Sequence, residues 1–212
     1  ASRKAEKLLE ESYAQTARVL EGTLEVIQEM TEARDPYTAG HQQRVAELSI
    51  AIARQMRLPE ETCVSLVATA ARIHDIGKIT VPAEILSKPG RLSRAEYQLI
   101  RTHSQVGYDI LKRAQLPEPV PEVVLQHHER LDGKGYPRRL GADDIHPLAR
   151  LVALTDVFDA LTSERPYRAA LDPTEALRVV KREELPGHLD RDAFVSLVRV
   201  LGVPNWRELE SS

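Results

Sequence analysis

The run ETCVSLVATAARIHDIGK (61–78) decides the architecture. Its apolar residues recur at helical rather than alternating spacing, so Glu61 to Ile73 predicts a helix, with Leu58-Pro59-Glu60-Glu61 as the turn that starts it. That helix delivers His74 and Asp75 side by side at its C-terminal end. Downstream, His127 and His128 open a second run, HHERLDGKGYP (127–137). An imidazole beside a carboxylate, met by a pair of imidazoles, is the ligand chemistry of a two-metal hydrolytic centre.

Outward from this run the helical period continues and strand-type alternation is almost absent, which predicts an all-α protein. Residues 3–33 carry Leu9, Tyr13, Ala17, Leu20, Leu24 and Ile27 at spacings of fours and threes, a narrow apolar seam ended by Asp35-Pro36. Such a helix packs either on its own domain or against a second chain as a coiled coil. Further helices are expected over Gln43–Met56, from a Ser93/Glu96 capping box through Ile100, over His103–Arg113, Glu122–Glu129 and Pro147–Thr162, and over 174–184 and 191–201. Segment 83–93 reads as a short helix and a Pro-Gly turn, and Leu131–Asp144 as an irregular loop, with Gly133, Gly135, Pro137 and Gly141 excluding helix.

The chain has 212 residues, 42% of them hydrophobic, with 13 Pro and 10 Gly, enough for one substantial core and too little Pro and Gly for a disordered or fibrous chain. A net charge of −3 gives no bulk attraction to duplex nucleic acid or an anionic membrane, so an anionic substrate must be held by local Arg, Lys or metal. The one cysteine, Cys63, has no internal disulfide partner and reads as a buried small hydrophobe. Absence of a spanning apolar run and of a signal peptide leads us to expect a cytoplasmic chain.

The candidate ligands are His41, His74, Asp75, His103, His127, His128 and Asp156. Each lies at or near a predicted helix end, or on an apolar helix that must face inward. Alone, His41 or His103 reads as a hydrogen-bonded histidine, and Asp156 as a satisfied polar residue in a core helix. An ionised Asp within LVALTDVFDAL (151–161) nevertheless needs a compensating cation. His146 and His188 sit in polar, loop-like surroundings and read as surface residues.

At these residues the sequence resembles the HD superfamily of metal-dependent phosphohydrolases, and within it the HD-GYP family of cyclic di-GMP phosphodiesterases. DPYTAGHQQRV (35–45), HDIGK (74–78), RTHSQVGYDIL (101–111), HHERLDGKGYP (127–137) and DVFDALTSERPYR (156–168) occur in the family's order. The resemblance implies an HD-domain helical bundle with a long N-terminal linker helix, divided as 1–33, a catalytic 34–202 and a tail 203–212. It implies one metal held by His41, His74, Asp75 and Asp156, with Asp75 bridging to a second held by His103, His127 and His128. Two divalent transition-metal ions are expected, Fe or Mn favoured by analogy and Ni, Co or Zn compatible with the ligand set. A third site in some members uses a Glu four residues before the first metal histidine; Tyr37 stands there, so a binuclear centre is expected.

By the same resemblance Lys78 would face a metal-bound phosphate, and Asp159 would orient or deprotonate the attacking water. Tyr136, Arg165 and Arg168 would contact substrate, while Glu129, Asp132 and Gly133 would build the loop. The implied reaction is hydrolysis of cyclic di-GMP to linear pGpG, with or without a second cleavage to GMP that depends on the metal centre. Cyclic GMP-AMP as substrate, or dinucleotide binding without useful turnover, are the alternatives. The N-terminal helix leads us to expect a parallel homodimer beneath an upstream sensor or receiver domain.

Overall fold

A computed structural model of the chain describes residues 2–35, 39–164, 169–185 and 187–203. The fold is all-α, as expected, and the described residues contain no strand, only an isolated antiparallel bridge between Asp132 and Gly141.

The molecule is built around α8 (Pro147–Thr162), which contacts α2 (His41–Gln55), α3 (Ser65–Ile73), α7 (Val120–Gln126), α9 (Pro173–Val179) and α10 (Arg191–Val200). A helix apolar on nearly every side is one that is covered on nearly every side, and LARLVALTDVFDAL is such a sequence. It starts where the sequence predicts, with Pro147 in its first turn and the His146 ring accepting the Leu148 N–H. Ser49 and Thr155 bond through their hydroxyls at 2.8 Å and tie α2 to α8 inside the core. Ile52, Ile73, Leu125, Leu154, Leu177, Phe194 and Leu197 are among the core's fully buried side chains.

Local departures have local causes. Helix α2 begins at His41 rather than Gln43 because the Glu32 carboxylate accepts the Gly40 and Gln42 N–H groups and caps it from outside. Helix α7 begins at Val120, since Pro121 is tolerated in a first turn, and ends at Gln126 instead of Glu129. One wide turn, Glu60–Val64, precedes α3, and Cys63 within it is only half-buried against the core. Another, Val180–Glu184, extends α9.

After α3 comes a tight 3-10 turn, Ile76–Thr80, then α4 (Ala83–Leu86), α5 (Arg94–Arg101) and α6 (His103–Arg113). The Ser93/Glu96 capping box forms in full, and the chain bends at Thr102 between α5 and α6. Gly77 fixes how HDIGK meets α6: a Cβ there would lie 1.9 Å from the His103 carbonyl oxygen and 2.7 Å from the Gly107 nitrogen. No other residue permits that approach.

Helix α1 (Ser2–Glu32) is split in its surroundings. Leu24 is buried, Ile27 packs against the core, and Glu21 pairs with Arg72 of α3. Toward the N-terminus the same seam is bare: Leu9, Tyr13 and Leu20 are 57%, 69% and 54% exposed. A second apolar line, Leu8, Val19, Val26 and Met30, is exposed along the whole helix. Among the described residues no helix is long and apolar enough to cross a membrane.

Candidate metal centre

His74, His103 and His127 each follow the last turn of a helix, α3, α5 and α7 respectively. The carbonyls there lack intrahelical partners. Each imidazole turns back on one of them: Nδ1 lies 2.7 Å from Ala71 O in His74, 2.7 Å from Ile100 O in His103 and 2.6 Å from Val124 O in His127. A carbonyl only accepts, so Nδ1 carries the proton and the Nε2 lone pair is aimed at the centre.

These rings, with those of His41 and His128, form one contiguous cluster. Centroids are 5.3 Å apart for His41–His74, 5.0 Å for His74–His127, 5.3 Å for His103–His127 and 4.1 Å for His127–His128. Their donor atoms sort into sets in which every atom lies within 4.8 Å of the others: His41, His74 and Asp156; His103, His127 and His128; and, joining the two, His74, Asp75 and His127.

Two features say that a cation belongs here. The Nε2 atoms of His103 and His127 face each other at 3.2 Å, and with both protons on Nδ1 this brings two lone pairs together. The Nε2 of His74 is buried without any hydrogen-bond partner. Orphaned lone pairs in a buried site are costly unless something electrophilic sits among them, so the residues present fit a metal. Burial pushes His103 below the usual imidazole range, and His127 and His128 well below it, which keeps them in the neutral, ligating form.

The carboxylates complete the set. Asp75 lies between the histidine groups, Oδ1 3.4 Å from His103 Nε2 and Oδ2 3.5 Å from His74 Nε2. Asp156 reaches His41 Nε2 at 3.3 Å and His128 Nδ1 at 3.9 Å. Burial alone would raise the Asp75 carboxyl, but the Lys78 charge beside it and the imidazoles around it hold it well below the usual carboxylate range. Asp156 is held low in the same way, against its burial, chiefly by His41.

Lys78 donates to Asp75 Oδ2 at 2.6 Å and has Asp35 at 3.6 Å. Burial would lower its pKa, yet these two carboxylates raise it, so it stays charged. Asp159 is fully engaged: His41 Nδ1 donates to it at 2.7 Å, Arg44 Nε at 2.6 Å, Arg44 Nη2 at 3.0 Å and the Ser163 hydroxyl at 3.1 Å. Although burial opposes it, Asp156 and Asp159 raise His41 to about 9.

Tyr136 stacks on His128, centroids 4.7 Å apart, and its phenol is pushed up chiefly by burial. Its loop is fastened by Glu129, which is 2% exposed and accepts the backbone N–H groups of Arg138 at 2.6 Å, Arg139 at 3.1 Å and Leu140 at 3.0 Å. Gly135 makes the fold-back possible, since a Cβ there would sit 2.4 Å from Arg130 N and from Glu129 Cα.

The structure thus gathers His41, His74, Asp75, Lys78, His103, His127, His128, Tyr136, Asp156 and Asp159. Arg165, Arg168 and Tyr37 lie outside the described residues. Reasoning from sequence missed Asp35 and Arg44. Arg44 stands three residues after His41 on the same helix face, a spacing that could have paired it with the histidine's own partner. His146 and His188 are not part of the cluster; His146 caps α8 and His188 lies beside Asp132 and Glu184.

An HD domain family profile matches residues 25–193. Over 200 residues the chain is 40% identical to a cyclic di-GMP phosphodiesterase of Pseudomonas aeruginosa, covering 94% of this chain and 47% of that protein. It is 38% identical to a 3'3'-cGAMP-specific phosphodiesterase of Vibrio cholerae, covering 82% and 37%. The chain therefore spans about half or less of these relatives. Among solved structures, the cyclic GMP-AMP specific phosphodiesterase V-cGAP3 of V. cholerae superposes with a TM-score of 0.55 at 32% identity over 87% of this chain and 41% of its own. A Bdellovibrio bacteriovorus protein of HDG"Y"P type matches the fold with a TM-score of 0.65 at 24% identity, over 76% and 51% of the two chains. The motif order, the imidazole cluster and these matches agree: the chain belongs to the HD domain family, in its HD-GYP branch.

Proposed function

We propose that this chain is a metal-dependent phosphodiesterase that hydrolyses cyclic di-GMP to linear pGpG, with or without onward cleavage to GMP, in a bacterial second-messenger pathway in the cytoplasm. The observation that carries the reading is the set of unprotonated Nε2 atoms aimed into one buried centre beside Asp75 and Asp156. His41, His74, Asp75 and Asp156 would hold one ion, and Asp75, His103, His127 and His128 a second, with Fe or Mn the favoured metals. Such ions supply Lewis acidity, which acidifies water and neutralises phosphate charge.

The chain's own groups do the rest. Carbonyls at three helix ends fix the imidazole tautomers and aim their lone pairs. Lys78, kept charged by Asp75 and Asp35, offers an N–H to a phosphoryl oxygen. Asp159 acts through His41 as a positioning residue, because both its oxygens are taken by His41, Arg44 and Ser163. Tyr136, with Arg165 and Arg168, contacts the dinucleotide.

The test is incubation of anaerobically Fe- or Mn-loaded protein with cyclic di-GMP and chromatographic separation of pGpG from GMP, beside elemental analysis. About two ions per chain are expected. Asp75→Asn should lower both metal occupancy and turnover, because one neutral ligand weakens two sites. Full turnover in that variant at matched occupancy, or no specific metal uptake by the parent chain, would sink the reading.

A further inference from the structure

Sharing a wall with the imidazole cluster is a groove of about 300 Å³ lined by Gln98, Arg101, Gln105, Val106, Tyr136 and Pro137. The partition is Tyr136, which stacks on His128. The guanidinium of Arg101 lies 4.4 Å from the Tyr136 ring centre and 5.8 Å from that of Tyr97. Among the described residues it meets no carboxylate and donates no hydrogen bond, whereas Arg138 nearby faces Glu122 at 3.9 Å. A cation held over an aromatic ring, with its donors uncommitted, is ready for a ligand.

The shape and chemistry of the groove indicate which ligand. Val106, Pro137 and the Tyr136 ring supply apolar lining, and Gln98, Arg101 and Gln105 supply polar groups. One positive charge is a poor phosphate site, but this is the arrangement that accepts a flat heteroaromatic ring with hydrogen-bonding edges. The Gln105 amide spends one N–H on Asp109 at 2.9 Å, and its carbonyl oxygen remains available to accept in the groove. Arg101 and Gln105 therefore offer a forked donor and a carbonyl acceptor. Guanine presents the reverse: O6 and N7 accept side by side on one edge, and N1–H and N2–H donate on the other. Adenine puts a donor, N6–H2, next to N7 and mismatches the guanidinium.

We infer that this groove holds one guanine of the cyclic dinucleotide, with Arg101 donating to O6 and N7 and the Gln105 carbonyl accepting from the N1/N2 edge, so that Arg101 sets the preference for guanine over adenine. The inference rests on the cyclic-dinucleotide reading and names the specificity residue of that site.

The metal-loaded chain is assayed on cyclic di-GMP, 3'3'-cGAMP and cyclic di-AMP, with bis(p-nitrophenyl) phosphate as a diester without bases. Arg101→Ala should raise KM for cyclic di-GMP roughly tenfold or more, change kcat less, and narrow the preference over cyclic di-AMP by a similar factor. Arg101→Lys should not restore the preference, because an ammonium lacks the fork. Arg94→Ala, exposed on the same helix, should match the parent. An equal loss on all cyclic dinucleotides, recovery with lysine, or an unchanged preference in Arg101→Ala would each overturn base reading by Arg101. If the parent chain cleaves bis(p-nitrophenyl) phosphate but no cyclic dinucleotide, the proposed function itself fails, and the inference with it.

Discussion

Replacing Glu129 with glutamine alters a single atom, and the structure fixes its cost. One carboxylate oxygen serves Arg138 and Arg139, and the other serves Leu140. In whichever way the glutamine amide is turned, its NH2 confronts at least one backbone N–H, so one bond is lost and the remainder lose their charge assistance. A hydrogen bond to a charged acceptor contributes roughly 1.5–3 kcal/mol, and the substitution should therefore destabilise the domain by about 3 kcal/mol. With a urea slope of roughly 2–3 kcal/mol/M, the unfolding midpoint falls by about 1 M. The damage should reach substrate too, because Tyr136 rides on the same loop, and KM should rise. A variant within about 0.5 kcal/mol of the parent, the usual range for an inconsequential surface change, would refute the idea that this carboxylate fastens the loop.

Gly77→Ala should cost roughly 3 kcal/mol or more, since its methyl collides with the His103 carbonyl, which is backbone and has little room to yield; a thermal melt and metal content at the parent's level would contradict this. His146 caps α8 through a neutral Nδ1, and burial lowers its pKa, so its stabilisation is complete above about pH 6.5 and is lost as the pH falls through the lower folded-state value. His146→Asn caps without titrating, so the stability gap between it and the parent should change on acidification, and a gap constant with pH would count against the cap. For a homodimer paired through α1, deleting residues 2–20 removes the bare part of its seam, Leu9, Tyr13 and Leu20, but spares Leu24 and Ile27, and light scattering should report a shift from dimer to monomer with metal content retained. A full chain already monomeric at micromolar concentration would refute the pairing.

The fold was legible because its signals are local. Pro147 at a helix start, the Ser93/Glu96 box and the apolar run from Leu151 to Leu161 each act within a turn or two of chain. Ligand order was legible because the histidines sit in short motifs at helix ends. What the sequence hides is long-range pairing. Arg44 finds Asp159 across 115 positions, and Glu129 fastens a loop about ten residues away through backbone groups that have no side-chain identity. Boundaries slipped for the same reason: Glu32 caps α2 from another helix, so neither His41 nor Gln43 announces the start. On α1 the apolar period was readable, but which part of it the domain covers depends on where α3 passes, as the burial of Leu24 beside the exposure of Leu20 shows.

The candidate ligands come from α2, the end of α3, the start of α6, the end of α7 and α8, spread along the chain from His41 to Asp156. Ions held by them would act as cross-links, closing successive loops and removing from the unfolded chain conformations it would otherwise explore. Helices α1, α9 and α10 lie outside the cross-linked span. Leu177, Phe194 and Leu197 tie the last two into the core, so it is the exposed N-terminal stretch of α1 that can shift by local fluctuation without a single ligand letting go, whereas the body between could not unfold without releasing bound metal. Metal supply would then govern how long the folded chain persists, and the outer half of α1 would remain the part free to move within that lifetime.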